Sequence, residues 1–385
     1  MNALKFLVIV FIAFGVYACS NNEDNPDVNS KKTKTVTLRL DGISSTVITK
    51  SVSSKSTAGV INLKDVTVLL TDGTNIYGKK VFSNPSADFS SIINSSTGYV
   101  FHLLDPAINK VIIVGNTAGV TIDYTNVSTV KNSAIKAADE QDKDNVTLYG
   151  ENILTASTEV SPPHTENTDY FTTTVNLSPI VSRIEIGKIQ CSDLGAVYSS
   201  FKLSGIGLVD IYQQINLGLT NLSEKLSIYT GTGSLGKIYM PGLASPPVGG
   251  YEFGNAGAIS WAYDAISPTA SFTSSSSTYY AGGDNTKVFA YNFIPVAGTF
   301  PNIKMRLSDV LRVDSSPTTF SYVSTKSFTG TGFDNTHPKP GYVYQFDLVF
   351  HEDNIGPFNP DAKICIDVKV TVSSWVIQAL SPVFY

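Results

Sequence analysis

From Val36 the chain alternates, with Val36, Leu38 and Leu40 on one side and Thr35, Thr37 and Arg39 on the other, until Asp41-Gly42 ends the run. A period of two is that of a strand with one buried face. The same pattern predicts strands at 66–70, closed by Thr71-Asp72-Gly73, at 99–104, and at 110–114, closed by Gly115-Asn116. It recurs at 180–189, 202–211, 342–350 and 363–372, with turn residues between nearly all of these runs. A helix is predicted only at 128–140, where Ser128 can cap and Val130, Ala134, Ile135 and Ala138 share a side. One short helix among many strands predicts an all-β chain built of β-sandwiches.

The stretch 155–174 holds Ser161-Pro162-Pro163-His164 among Thr, Asn and Glu, with little apolar periodicity. It is the best place for a domain boundary, with the split near Val175. A length of 385 residues suits two domains. The expectation is an N-terminal sandwich over 35–174, containing the helix, and a C-terminal one over 175–385. A second weakly patterned stretch, 265–285, reads as a long loop within the second domain.

Ahead of the body lies a targeting segment. Met1 to Lys5 is weakly basic and Phe6 to Val16 is an apolar run too short to span a bilayer. It ends in Val16-Tyr17-Ala18-Cys19, which resembles the lipobox of bacterial lipoproteins. That resemblance implies a signal peptide over 1–18 and a lipid, palmitate included, on Cys19. Residues 20–27 are polar and acidic, so 19–34 reads as a solvated tether. An acidic stretch behind the lipid cysteine resembles the surface-export signal of lipoproteins in Bacteroidetes-type bacteria. Cys191 and Cys365 then remain, and each reads as a buried thiol rather than half of a bridge.

Composition narrows the chemistry. With 27 Lys+Arg against 32 Asp+Glu, and charged residues at 15%, there is no dense basic footprint for a phosphate backbone, so nucleic acid is not expected as a partner. Gly231-Thr232-Gly233-Ser234-Leu235-Gly236-Lys237 matches a phosphate-loop pattern in part. Yet Ile238 stands where magnesium needs a hydroxyl, and Pro241-Gly242 stops the run, so a hairpin turn is expected. His351-Glu352-Asp353 is the one His beside carboxylates; His102, His164 and His337 lack the spacing of zinc ligands. Asp142, Asp144 and Asn145 lack the Gly and distant Glu of a calcium loop. No nucleophile signature is present. The reading is a protein without cofactor, metal or catalytic site, and not an enzyme.

The two ends are unusual. Ile364, Ile366, Val368, Val370 and Val372 alternate with polar residues, the phase changes at Ser373-Ser374, and Trp375, Ile377 and Ala379 resume it before Pro382-Val383-Phe384-Tyr385. Pattern alone fits equally the last strand of the second sandwich or a strand offered to another chain. Behind the first strand, residues 44–57 are rich in Ser and Thr and hold Lys50 and Lys55, a place where proteolysis concentrates. Cutting there would free Val36, Leu38 and Leu40 and open an apolar slot.

Several segments together resemble the fimbrillins, the type V pilins of Bacteroidetes-type bacteria. They are 63–73 (Leu-Lys-Asp-Val-Thr-Val-Leu-Leu-Thr-Asp-Gly), 108–116, 177–186, 341–348 and 368–375, in that order behind the lipobox. The resemblance implies two transthyretin-like β-sandwich domains in a lipoprotein precursor at the cell outer membrane. It implies a trypsin-like protease that cuts after Lys50, or else after Lys55, and displaces the strand of Val36, Leu38 and Leu40. It implies a donor made of Val368, Val370, Val372, Trp375, Ile377, Ala379 and Val383 that fills another subunit's slot, so that the mature form lies in the extracellular fimbrium. Partners would be other copies, other fimbrial subunits and a host surface ligand. A shaft subunit is the first expectation; a tip or accessory pilin is the alternative. A surface glycan-binding lipoprotein is a third, weakened by having only Trp261 and Trp375 beside 19 Tyr.

Overall fold

The computed structural model describes residues 32–41, 43–44, 60–94, 96–117, 119–142, 145–160, 168–209, 211–222, 225–226, 260–283, 287–318, 321–329, 333–357, 365–369, 371–374 and 376–379. In the first half run β1 (Thr33–Asp41), β2 (Ile43–Ser44), β3 (Val60–Leu63), β4 (Asp65–Thr71), β5 (Ile76–Ser83), helix α1 (Ala87–Ile92), β6 (Tyr99–Leu104), β7 (Lys110–Gly115), helix α2 (Val127–Asn132), β8 (Ala134–Lys136), β9 (Leu148–Ile153), β10 (Thr155–Ala156), β11 (Thr168–Asn176) and β12 (Ser178–Pro179). Next come β13 (Ser182–Cys191), β14 (Tyr198–Val209), β15 (Ile211–Tyr212), β16 (Gln214–Asn216), β17 (Lys225–Leu226), β18 (Tyr263–Thr273), β19 (Thr278–Tyr280) and β20 (Phe289–Phe293). The chain closes with β21 (Asn302–Arg312), β22 (Pro317–Thr318), β23 (Ser321–Thr329), β24 (Tyr342–Phe350), β25 (Gly356–Pro357), β26 (Cys365–Lys369), β27 (Thr371–Ser374) and β28 (Val376–Ala379).

Two sandwiches result. The first has sheets of order β10-β11-β1-β6 and β12-β9-β7-β4-β5, which enclose a core that includes Leu38, Leu40, Leu63, Val68, Val111, Leu148 and Val175. β4 and β7 lie inside their sheet and read as apolar runs, Val66 to Leu70 and Val111 to Val114, because both of their faces are covered. The second has sheets of order β19-β13-β24-β27 and β18-β14-β21-β23-β25, with β20 on β13 and β26 on β23. Its core includes Ile184, Ile186, Phe201, Leu203, Phe272, Met305, Leu307, Tyr344 and Leu348. Phe201 stacks on Phe272 with ring centroids 4.7 Å apart.

Three expectations need correction. The helix predicted at 128–140 is a short helix at Val127–Asn132, then β8, then a 3₁₀ turn at Ala137–Glu140. Its cap is Asn126, not Ser128: the Asn126 side chain accepts the Thr129 N–H (2.9 Å), and Thr129 Oγ1 accepts the Asn126 N–H (3.0 Å). The helix stops because Ala134–Lys136 is claimed by an antiparallel ladder with β16, which buries Ile135. A second helix, α1, went unpredicted, since a six-residue element with Phe89 and Ile92 buried is too short to show a period. Finally, most of the stretch predicted as a loop at 265–285 is strand, in β18 and β19. In β18 only Ile266 and Phe272 are buried, so the run shows little alternation.

A polar network ties the sandwiches together. The Gln141 side chain donates to Asn292 O (2.8 Å) and accepts the Asn292 N–H (3.1 Å). Asn292 Nδ2 donates to Glu140 O (2.5 Å), and its Oδ1 accepts from Arg183 (3.1 Å), which also pairs with Glu185 at 2.7 Å. Asn292 is fully buried, and each of its nitrogen and oxygen atoms has a hydrogen-bond partner. Beside it the buried Glu140 carboxylate accepts the Thr147 N–H and hydroxyl, both at 2.6 Å. Burial pushes the Glu140 pKa up, and the Thr147 bonds act the other way.

Candidate functional site

β1 is an interior strand of its sheet. It pairs parallel with β11 in unbroken register from Thr33↔Thr168 to Asp41↔Asn176, and antiparallel with β6 through Val36↔Phe101, Thr37↔Val100 and Leu38↔Tyr99. Val36, Leu38 and Leu40 are 0%, 0% and 1% exposed, so the alternation in the sequence is the core face of this strand. Burying each is worth about 1.5–3 kcal/mol. The slot therefore has an apolar floor and two hydrogen-bonding banks.

Side chains fix the strand along its length. Lys34 Nζ donates to Ile108 O (2.6 Å) and lies 4.6 Å from the centroid of the Phe171 ring. Arg39 spans two partners, Thr172 Oγ1 (2.8 Å) and Glu159 Oε2 (3.1 Å). Gly98 approaches so closely that a Cβ there would lie 2.4 Å from Leu38 O, and its φ of +70° suits only glycine well. Opposite the shift in register between Lys34 and Val36, Leu103 takes a φ of +54° and is 58% exposed.

The tail reaches this same sandwich. β26 pairs parallel with β23, and β27 antiparallel with β24 from Tyr342↔Ser374 to Gln345↔Thr371, so these two strands complete the second sandwich. β28 then crosses to the first. It lies between β2, through Ile43↔Ile377 and Ser44↔Gln378, and β3, from Val60↔Val376 to Leu63↔Ala379, parallel to both. A buried side chain that pattern reasoning missed holds β3: Asn116, 1% exposed at a φ of +56°. Its Oδ1 accepts the Lys64 N–H (2.8 Å), while Nδ2 donates to Asn62 O (3.0 Å) and Val146 O (3.3 Å). Its only mark in the sequence is the Gly115-Asn116 pair, read there as a turn.

Other sequence candidates are scattered. Cys19, Lys50, Lys55 and the 231–237 pattern lie outside the described residues, as do the side chains of Val368, Val370, Val372, Trp375, Ile377, Ala379 and Val383. Cys191 is a free, buried thiol whose pKa burial pushes up to about 11. His351 bonds Asp193 (3.1 Å) and Ser192 (3.0 Å) at the surface. The neighbouring Glu352 carboxylate is filled by the N–H groups of Gly195, Ala196, Val197 and Tyr198 at 2.8–3.2 Å, a clasp on the loop that joins β13 to β14. His337 is buried against Phe333 and its Nδ1 shares a hydrogen bond with the Tyr344 hydroxyl (2.8 Å), which itself accepts the Lys339 N–H (2.8 Å). Among the described residues no group of three His, Cys, Asp or Glu side chains could hold a metal ion.

The topology has solved counterparts. A fimbrilin from Porphyromonas gingivalis W83 superposes with a TM-score of 0.53 at 11% identity, over 91% of this chain and 99% of that one. The chain has the fimbrilin fold. A structure from Parabacteroides distasonis described as a cell adhesion protein aligns similarly, with a TM-score of 0.52 at 12% identity over 89% of this chain and 99% of that one. No family model and no curated protein matches the sequence. The fimbrilin fold is thus carried here by a sequence that shares few residues with its structural neighbours.

Proposed function

We propose that this chain is a structural subunit of a cell-surface fimbria, cut between β2 and β3 and assembled by strand exchange. One observation carries the reading: the first strand is an interior strand of a sheet, buried on its apolar face, and the lysines of the sequence between β2 and β3, Lys50 and Lys55, lie on its C-terminal side. A trypsin-like cut there leaves β1 held by non-covalent contacts alone. Its departure uncovers a strand-long apolar floor and the facing edges of β6 and β11.

A bare floor of this kind demands a strand, since unpaired edges and exposed apolar surface both favour association. The C-terminal segment has the matching alternation, Val-Lys-Val-Thr-Val at 368–372 against Val-Thr-Leu-Arg-Leu at 36–40. Slot and donor sit on different parts of one molecule, so the contact is head-to-tail and builds a filament rather than a closed dimer. Lipidation of Cys19 holds the precursor in the outer membrane until the cut, and the mature subunit joins copies of itself and other fimbrial subunits in adhesion to a host surface ligand.

Trypsin treatment of the purified chain tests this. A ladder of heat-labile multimers is expected on a gel, with Ser51 at the new N-terminus, or Ser56 if the second lysine is used. Multimers that still carry residues 20–50, or a cut chain that stays monomeric at high concentration, would overturn it.

A further inference from the structure

We infer that Val60–Leu63 is a second docking edge for the C-terminal strand, occupied by the chain's own residues 376–379 before the cut and by those of a neighbouring copy after it. The inference rests on the strand-exchange reading and adds a partner surface separate from the slot of β1.

The cut divides the partners of β28 unequally. β2 lies on the N-terminal side of Lys50 and Lys55 and leaves with β1, whereas β3 lies beyond both lysines and stays. β3 does not depend on β2 for its place. Ile61 and Leu63 are both 0% exposed in the core of the first sandwich, and the Asn116 carboxamide grips Lys64 N and Asn62 O. Along a strand the backbone groups of alternate residues point to opposite edges. With Asn62 and Lys64 turned to Asn116, the N–H and C=O groups of Ile61 and Leu63 face the other edge, where β28 lies. That edge persists after cleavage and needs a strand.

Direction agrees with this occupant. β2 continues β1 past Gly42, and β2, β28 and β3 all run parallel. A donor that lies in the slot along the direction of β1 therefore runs in the same parallel sense that β28 already shows against β3 within one chain. When a subunit sends its tail to the next copy, its own Val60–Leu63 is vacated and receives the tail of the previous one, so the same ladder forms between chains. This is the logic of domain swapping, in which one set of contacts serves within and between molecules.

Cysteine pairs at Asn62 and Gln378, which are register partners, test the assignment. Neighbouring strands lie about 4.8 Å apart, within disulfide reach. Asn62→Cys and Gln378→Cys full-length chains are purified separately, mixed, cut with trypsin and oxidised, and the linked peptides are identified by mass. A 62-to-378 linkage between chains is expected. Multimers of the mixture without that linkage would overturn the inference and leave strand exchange standing; absence of multimers from the unsubstituted chain would overturn both. A second arm oxidises the uncut double variant. The locked tail is expected to abolish multimers after cutting and a reductant to restore them, and multimers formed equally well in the locked state would also refute the assignment.

Discussion

Asn116 combines a left-handed backbone with a buried carboxamide whose donors and acceptor are all engaged. Replacing it by Ala leaves the Lys64 N–H and two carbonyls without partners and keeps the backbone strain, so Asn116→Ala is expected to cost about 2–3 kcal/mol. A urea midpoint lowered accordingly would check this, and an unchanged one would contradict it. His337 makes the molecule sensitive to acid. Burial, with Lys339 adding to it, holds the His337 pKa below its ordinary 6.5, and the Tyr344 hydroxyl bonds the neutral ring. The unfolded chain then takes up the proton at a higher pH than the folded one. Stability from this site is complete above pH 6.5 and falls as the pH drops from there through the folded value. The slope of urea midpoint against pH below 6.5 should be shallower in His337→Gln, where no imidazole titrates.

Among elements, β1 and β11 differ most in how they read from sequence. β1 has one face against the core, and its alternation is legible. β11 was hidden in a stretch that suggested a junction, because Thr168 to Thr174 carries polar residues on both faces and only Thr173 and Val175 are buried. Its strand character comes from pairing with β1 along nine residues, a long-range cause that no local pattern reports. The floor of the slot and the bank formed by β6 could thus be read in advance, and the bank formed by β11 could not. α2 failed for a related reason, since Ile135 satisfies a helical period and also faces the core from β8. A substitution in β1 separates the uncut chain from its product. Leu38→Ala should destabilise the intact chain by about 2–5 kcal/mol, the usual loss for a large aliphatic side chain in a core. The heat stability of multimers made from it should match that of the unsubstituted protein, because residue 38 has left. Gly98→Ala acts in the opposite sense: it presses on whichever strand fills the slot, so both uncut chain and multimer should melt lower.

Across the whole molecule, the two sandwiches share more than a linker. Val343 and Ile294 from the second half pack into the first core, β16 pairs with β8, and the network around Asn292 crosses between the sandwiches. Asn292→Ala should cost about 1–3 kcal/mol by stranding the Glu140 carbonyl and the Arg183 guanidinium, and amide exchange should rise at 137–147 while strands far from the junction keep their protection. An unaltered exchange pattern at 137–147 would mean that the network does not hold the junction.

The ladder between β1 and its neighbours runs along the strand axis, unbroken against β11 and with one shift in register against β6. A fibre whose links copy that arrangement bears a pull in shear: tension along the axis loads every rung at once, and no single rung can open ahead of the others. Flow over a colonised surface would stretch such a fibre without unzipping it.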